Sequence, residues 1–97
     1  STDTAATLRA SELDCSLIIK ATKVNGIYNK DPIKYKGARL IKNISYSQVI
    51  KKNLNVMDLT AISLAKDTKI PIYITNIFNK NSLINVLNRR GSYSKIS

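Results

Sequence analysis

The sequence Lys20-Ala-Thr-Lys-Val-Asn-Gly-Ile-Tyr-Asn-Lys-Asp-Pro32 decides how the rest of the chain is interpreted. It follows the apolar run 15–19, and it is polar, contains a glycine and ends in Asp-Pro. In α/β folds, a buried strand that leads into a polar, glycine-bearing loop builds ligand sites at the carboxyl edge of the sheet. We therefore expect this stretch, the 20–32 segment, to bind a nucleotide.

Side chains in the 20–32 segment suit the parts of a nucleotide. Gly26 after Asn25 gives a backbone that can take a positive φ, so we expect it to pass close to a ligand. Thr22 offers a donor and an acceptor at the strand end, and Tyr28 offers a ring that can lie against a base. Asp31 can accept hydrogen bonds from a ribose hydroxyl or an exocyclic amine.

A purely structural interpretation of the same segment stays open. Val24-Asn-Gly-Ile27 is a favourable two-residue turn sequence, and a β-hairpin at this point needs no ligand. Lys20 and Lys23 could contact phosphates if the segment binds a nucleotide. The residues alone do not decide between a hairpin and a nucleotide-binding loop.

The first residues, Ser1-Thr2-Asp3, predict a helix start and a second candidate site. Two hydroxyls at a helix N-terminus, with free backbone N–H groups and the positive end of the helix dipole, can bind an anion. Asp3 beside that site could orient a lysine or a phosphate. Plain helix capping explains the same residues, and the local pattern alone favours capping.

Periodicity and turn residues predict alternating helices and strands. The predicted order is a helix closed by Asp14, a strand over 15–21 buried on both faces, a polar loop over 29–39, a short strand within 40–44, a helix starting at Ser45, a helix over 57–68, a strand over 72–77, a short helix over 83–87 and an edge strand in the tail. This alternation predicts an α/β fold with a mainly parallel sheet. Two or three strands are few for four helices, so we expect the back portion of a larger domain.

Length and charge limit the classes of protein. Ninety-seven residues correspond to one domain or to part of one, and a hydrophobic share of 43% is ordinary for a globular chain. The net charge of +10 is compatible with nucleic-acid binding, but the basic residues are scattered and form no stripe interleaved with aromatic residues. We therefore attribute much of the charge to a composition rich in Lys, Asn and Ile, and we expect no nucleic-acid partner.

The cysteine and histidine content excludes some chemistry. The sequence has no His and one Cys, so it contains no His-based catalytic triad and no internal disulfide. Cys15 heads an apolar run, and we expect it to be a buried structural thiol in a reducing cytoplasm. There is no basic-then-apolar leader and no long apolar run, so we expect neither a signal peptide nor a membrane span.

Three separated stretches resemble bacterial uridylate (UMP) kinases, which belong to the amino-acid-kinase fold superfamily. They are Ser1-Thr-Asp-Thr-Ala-Ala6, the 20–32 segment, and Asn55-Val-Met-Asp-Leu-Thr-Ala-Ile-Ser-Leu-Ala-Lys-Asp67. The match is to the C-terminal part of those kinases; it runs in order to about Leu87 and weakens at the tail. The Lys-Ala-Thr-Lys form of the loop favours UMP kinase over aspartate, glutamate or carbamate kinases of this fold.

The resemblance implies that residues 1–97 are the C-terminal, ATP-binding part of one amino-acid-kinase domain, an α/β/α sandwich with a mainly parallel sheet. It implies transfer of the ATP γ-phosphoryl group to UMP, giving UDP and ADP, with Mg²⁺ as cofactor. The enzymes that it resembles are cytoplasmic hexamers of pyrimidine nucleotide biosynthesis.

The resemblance also assigns roles by position. Ser1 and Thr2 match paired hydroxyl residues that contact UMP, and Asp3 matches the acidic residue of the catalytic centre. The positions that hold ATP, around its adenosine end, are matched by Thr22, Tyr28 and Asp31. No residue of this chain is assigned as a metal ligand.

Two departures from the family pattern affect these expectations. Asn25 stands where those kinases usually have Asp, which removes one charge from the turn but keeps its tolerance of the left-handed conformation, so we expect the loop conformation to survive. The glycine-rich phosphate loops and the catalytic lysine belong to the N-terminal part, which this sequence lacks, so we expect the chain alone to be inactive. The alternatives are a stand-alone nucleotide-binding or regulatory module and another kinase of this fold.

Overall fold

The computed structural model describes residues 2–97, in which helices and strands alternate much as the sequence predicts. The helices are α1 (Thr2–Glu12), α2 (Tyr46–Lys51), α3 (Leu59–Thr68) and α4 (Ser82–Leu87). The strands are β1 (Ile18–Thr22), β2 (Ile27–Tyr28), β3 (Leu40–Ile41), β4 (Asn43–Ile44), β5 (Ile72–Asn76) and β6 (Tyr93–Ile96). None of the helices within residues 2–97 has the length and apolar character needed to cross a membrane.

A four-stranded sheet in the order β1-β5-β6-β4 forms the centre of the fold. β1 pairs with β5 and β4 pairs with β6 in parallel, whereas β5 and β6 are antiparallel. The predicted α/β fold with a mainly parallel sheet is therefore confirmed. The tail strand was predicted at an edge, but β6 lies inside the sheet, because its backbone pairs with β5 on one side and β4 on the other.

The core lies between one face of the sheet and helices α2 and α3. Ile72, Ile74 and Ile96 point from the sheet toward small and branched side chains of α3, namely Ala61, Ile62 and Ala65. All six are at most 1% exposed. Burying one isoleucine side chain contributes about 1.5–3 kcal/mol, so these contacts fix the distance between α3 and the strand ends that carry the candidate site.

Helix α3 starts two residues later than predicted, at Leu59, because Asp58 is its N-cap. The Asp58 Oδ1 atom accepts the backbone N–H of Thr60 at 3.1 Å, which is the hydrogen bond that makes aspartate a favourable cap. The backbone N–H of Asp58 thereby lies outside the helix and can donate elsewhere. The capping box of α2, predicted from Ser45 and Gln48, is confirmed.

The prediction for Cys15 was wrong, because this thiol is exposed. Helix α1 ends with Asp14 in the left-handed conformation (φ 57°) and with the N–H of Cys15 bonded to the carbonyl of Ala10 at 2.9 Å. This six-residue closure is a Schellman motif, so Cys15 belongs to the helix end. β1 therefore begins at Ile18, and its residues are half-buried or exposed where burial on both faces was predicted.

Candidate functional site

The carboxyl ends of the parallel strands β1 and β5 meet at one edge of the sheet, where Thr22 lies opposite Asn76. Beside the chain that leaves β1 is a cavity of about 590 Å³. Its walls are residues 24 and 26–32 on one side and 54–56 on the other. Ligand pockets usually measure roughly 300–1,000 Å³, so this cavity, the loop cavity, has room for a nucleoside with part of its phosphate chain.

Two of the three residues predicted to hold ATP line the loop cavity. Tyr28 and Asp31 are in its wall, and one carboxylate oxygen of Asp31 accepts the N–H of Ile33 at 2.8 Å. Thr22 is not in the wall. Its hydroxyl donates to the carbonyl of Val24 at 2.8 Å and accepts the Val24 N–H at 3.1 Å, so it shapes the turn that leads into the cavity.

The hairpin alternative and the positive φ at Gly26 are both contradicted. β1 pairs with β5 and β2 pairs with β3, so the turn joins strands of two different sheets. The glycine with a positive φ among residues 2–97 is Gly91, not Gly26. A Cβ atom on Gly26 would lie 2.4 Å from the Ser94 Oγ, so glycine is required there for space.

Asn25 is held by amide contacts, and its φ is not positive. Its Oδ1 accepts the Nδ2 of Asn76 at 3.2 Å and the Nδ2 of Asn79 at 3.1 Å. Asn76 also donates to the carbonyl of Lys23 at 3.3 Å. These bonds join the turn after β1 to the turn after β5, and they need only an acceptor oxygen at position 25, which Asn and Asp both supply.

A second cavity of about 290 Å³, the Asp3 cavity, adjoins the loop cavity. Its wall contains Asp3, Lys20 and residues 55–58. Asn55 and Val56 belong to the walls of both cavities, so one short stretch of chain separates them. A ligand in one cavity is therefore next to a ligand in the other.

Asp3 is the centre of a small polar network. Its Oδ2 accepts from the Nζ of Lys20 at 3.1 Å and from the backbone N–H of Asp58 at 3.1 Å. The side chains of Asp3 and Lys20 are each 28% exposed, so solvent screens their attraction in part, and its value lies more in orientation than in stability. The carboxylate of Asp58 in turn accepts the hydroxyl of Thr4 at 3.1 Å.

Ser1 and Thr2 are the two residues predicted to contact UMP. Thr2 is the first residue of α1 and is exposed, and Ser1 lies outside the described residues. Sequence reasoning missed that residues 54–58 line the two cavities, with Asn55 and Val56 shared between them. The signal that could have found it is Asp58, a favourable N-cap residue directly before an apolar helix, although its long-range contact with Asp3 is not readable from the sequence.

The donor atoms present do not form a dedicated metal cage. Within residues 2–97, no group of three or more His, Cys, Asp or Glu side chains is placed to hold a metal ion. Mg²⁺ usually takes one or two carboxylates together with substrate phosphates and waters. Asp3 at the Asp3 cavity fits that limited contribution and no larger one.

Comparisons with known proteins show which family this chain is similar to. A family model described as the amino acid kinase family matches residues 1–76. The chain is 52% identical over 96 residues to a uridylate kinase of Campylobacter fetus subsp. fetus and 51% identical over 96 residues to one of Aliarcobacter butzleri, and each match covers 99% of this chain. It covers 40% of the length of each of these curated relatives.

Solved structures show the same fold along the full chain. The UMP kinase from Ureaplasma parvum superposes with a TM-score of 0.93 at 32% identity, covering 100% of this chain and 42% of that enzyme. The UMP kinase from Bacillus anthracis superposes with a TM-score of 0.94 at 26% identity, covering 100% of this chain and 40% of that enzyme. Since the family model also covers residues 1–76, most of the sequence, the chain belongs to the amino acid kinase family.

Proposed function

We propose that this chain supplies the ATP side and part of the catalytic centre of a UMP kinase, which transfers the γ-phosphoryl group of ATP to UMP. The observation that carries the proposal is the pair of adjoining cavities, one lined by Tyr28 and Asp31 and the other by Asp3 and Lys20. Phosphoryl transfer needs two anionic substrates held side by side with their charge neutralised, and this arrangement suits that need.

The proposed reaction places the γ-phosphoryl group of ATP at the Asp3 cavity. A phosphate oxygen of UMP bonds to the γ-phosphorus while the bond from that phosphorus to the β,γ-bridging oxygen breaks, leaving ADP and UDP. The ammonium of Lys20 stabilises the charge on the transferred group, and Asp3 holds that ammonium in place through its 3.1 Å contact. Such a transfer needs no strong general base, in keeping with a sequence that has no His.

The remaining assignments follow the same proposal. The ring of Tyr28 lies against the adenine, Asp31 accepts from the adenosine end, and Thr22 acts through the turn that it holds. Ser1 and Thr2 contact UMP. Mg²⁺ would be carried on the ATP phosphates near Asp3 and would supply further neutralisation of charge.

We also propose that the working enzyme contains this chain as the C-terminal part of one larger domain. The support for this is that the chain covers 40% of the length of its uridylate kinase relatives. In that setting the enzyme is a cytoplasmic hexamer of pyrimidine nucleotide biosynthesis, with UMP and ATP as its partners.

A hybrid enzyme tests this proposal. In it, the chain replaces the 96 residues that it matches in the Campylobacter fetus uridylate kinase, to which it is 52% identical over that stretch. We expect the hybrid to form UDP from ATP and UMP and the isolated chain to form none, because the isolated chain corresponds to only 40% of the length of its uridylate kinase relatives. Coupled detection of ADP together with chromatography of UDP measures both.

Two outcomes would contradict the proposal. One is appreciable UDP formation by the isolated 97-residue chain, and the other is a folded hybrid that forms no UDP. Near-stoichiometric ATP binding by the isolated chain in calorimetry, with an inactive hybrid, would indicate a stand-alone nucleotide-binding module.

In the hybrid, Asn25→Asp is expected to leave the melting temperature unchanged or slightly higher. A carboxylate can accept the same two amide donors, from Asn76 and Asn79, and charged acceptors form stronger hydrogen bonds. Asn25→Ala removes both bonds and is expected to cost about 1–2 kcal/mol of stability. Thermal unfolding followed by circular dichroism measures the effect, and equal melting temperatures for the two variants would contradict the role of the acceptor oxygen.

A further inference from the structure

The residue that holds the start of the loop cavity in place comes from the last strand. Ser94 on β6 is 0% exposed, and its hydroxyl accepts the backbone N–H of Ile27 at 2.8 Å. The same hydroxyl donates to the carbonyl of Ile41 at 2.5 Å. Ile27 and Ile41 are paired residues of β2 and β3, so one side chain links the two-stranded sheet to the main sheet.

Part of the wall of the loop cavity lies at this contact. Gly26, Ile27 and Tyr28 are consecutive residues of that wall. Gly26 is in van der Waals range of Ser94, since a Cβ atom there would lie 2.4 Å from the Oγ and 3.0 Å from the backbone N. The close approach of Gly26 to this hydroxyl limits the distance between the loop and β6, and the hydrogen bond from Ile27 fixes the position of the loop along β6.

A water molecule is a poor substitute for this hydroxyl. Ile27 is 2% exposed, so its N–H has little access to solvent if the Ser94 oxygen is removed. A buried N–H without an acceptor is costly, and the backbone moves to reduce that cost. Movement at Ile27 would displace Tyr28, its neighbour in the wall.

From this geometry we infer that Ser94 is a positioning residue for ATP, acting through Ile27 and Tyr28 and not by contact with the nucleotide. The inference rests on the proposed function and extends it, because it gives an ATP-side role to a residue that does not line the loop cavity. It predicts that a change at Ser94 affects the ATP side of the reaction and not the UMP side, since Asp3 and Lys20 are bonded to neither Ser94 nor Ile27.

Steady-state kinetics of the hybrid enzyme tests the inference. Ser94→Ala is expected to raise KM for ATP about tenfold and to leave KM for UMP unchanged, because one buried donor loses its acceptor. Ser92→Ala on the same segment, where the residue is exposed, is the matched control and should change neither constant. Gly26→Ala pushes on the same hydroxyl from the other side and should give the same selective rise.

The possible results separate this inference from the proposed function. UDP formation by the unsubstituted hybrid is measured first, and its absence counts against the proposed function alone. An unchanged KM for ATP in folded Ser94→Ala, or an equal rise in both KM values, would overturn the positioning role. If neither Ser94→Ala nor Gly26→Ala gives folded enzyme, the contact serves folding as a whole and the inference is likewise overturned.

Discussion

Replacing Asp3 by asparagine in the hybrid enzyme is expected to lower kcat about 100-fold, because misplacement of a charged group by about an ångström has effects of that size. The Asp3 carboxylate accepts from Lys20 and from the N–H of Asp58, each at 3.1 Å. Asparagine keeps the size and one acceptor oxygen but loses the charge that holds the ammonium of Lys20. Single-turnover formation of UDP at saturating ATP and UMP measures the effect on the chemical step.

The matched control for this change is Asp67→Asn. Asp67 is exposed on α3, so its replacement alters net charge by the same amount without touching either cavity. We expect kcat to be unchanged in the control. An unchanged kcat in folded Asp3→Asn would remove Asp3 from the catalytic centre.

Replacing Lys20 by methionine is expected to lower kcat by a factor of about 100–1,000, the usual loss when one group that stabilises transition-state charge is removed. Methionine keeps most of the apolar stem, so the packing of β1 changes little while the ammonium is lost. Lys20→Arg is not expected to restore the rate, because the planar guanidinium cannot take the position of a compact ammonium. Pre-steady-state rates of UDP formation measure both variants.

Lys23→Met is the control for charge within the same segment. Lys23 is exposed and lines neither cavity. A loss as large as that of Lys20→Met would show that general positive charge, and not the ammonium beside Asp3, supports the reaction. If Asp3 acts by holding Lys20, adding Asp3→Asn to Lys20→Met should cost little more, and fully additive losses would contradict that coupling.

The elements with strong local signals were predictable from the sequence. The Ser45 and Gln48 capping box, the apolar face of α3 and the β-branched run of β5 each depend on neighbours in sequence, and all three are confirmed. Tyr28 and Asp31 were also placed in one loop at the end of a strand, and both line the loop cavity.

Features that depend on distant contacts could not be predicted. Gly26 looks like a turn glycine, yet the reason for it is Ser94, which is far away in sequence. Asn25 similarly makes its bonds to the turn after β5. The whole apolar run 15–19 was assigned to a strand, and this is why Cys15 was predicted to be buried. In the structure the Schellman closure at Asp14 places Cys15 at the end of helix α1. Periodicity detects neither long-range hydrogen bonds nor this closure.

Because β6 lies between β5 and β4, the sheet cannot form completely during synthesis until β6 has been made. β4 and β5 are both synthesised before β6, which pairs with each of them. Until residues 93–96 leave the ribosome, the two older strands have no partner between them, and the support of Ile27 by Ser94 does not exist. Completion of the β1-β5-β6-β4 sheet and fixing of the loop therefore both wait for synthesis of β6, and a nascent chain stalled before Tyr93 would leave the edges of β4 and β5 that β6 covers open to aggregation.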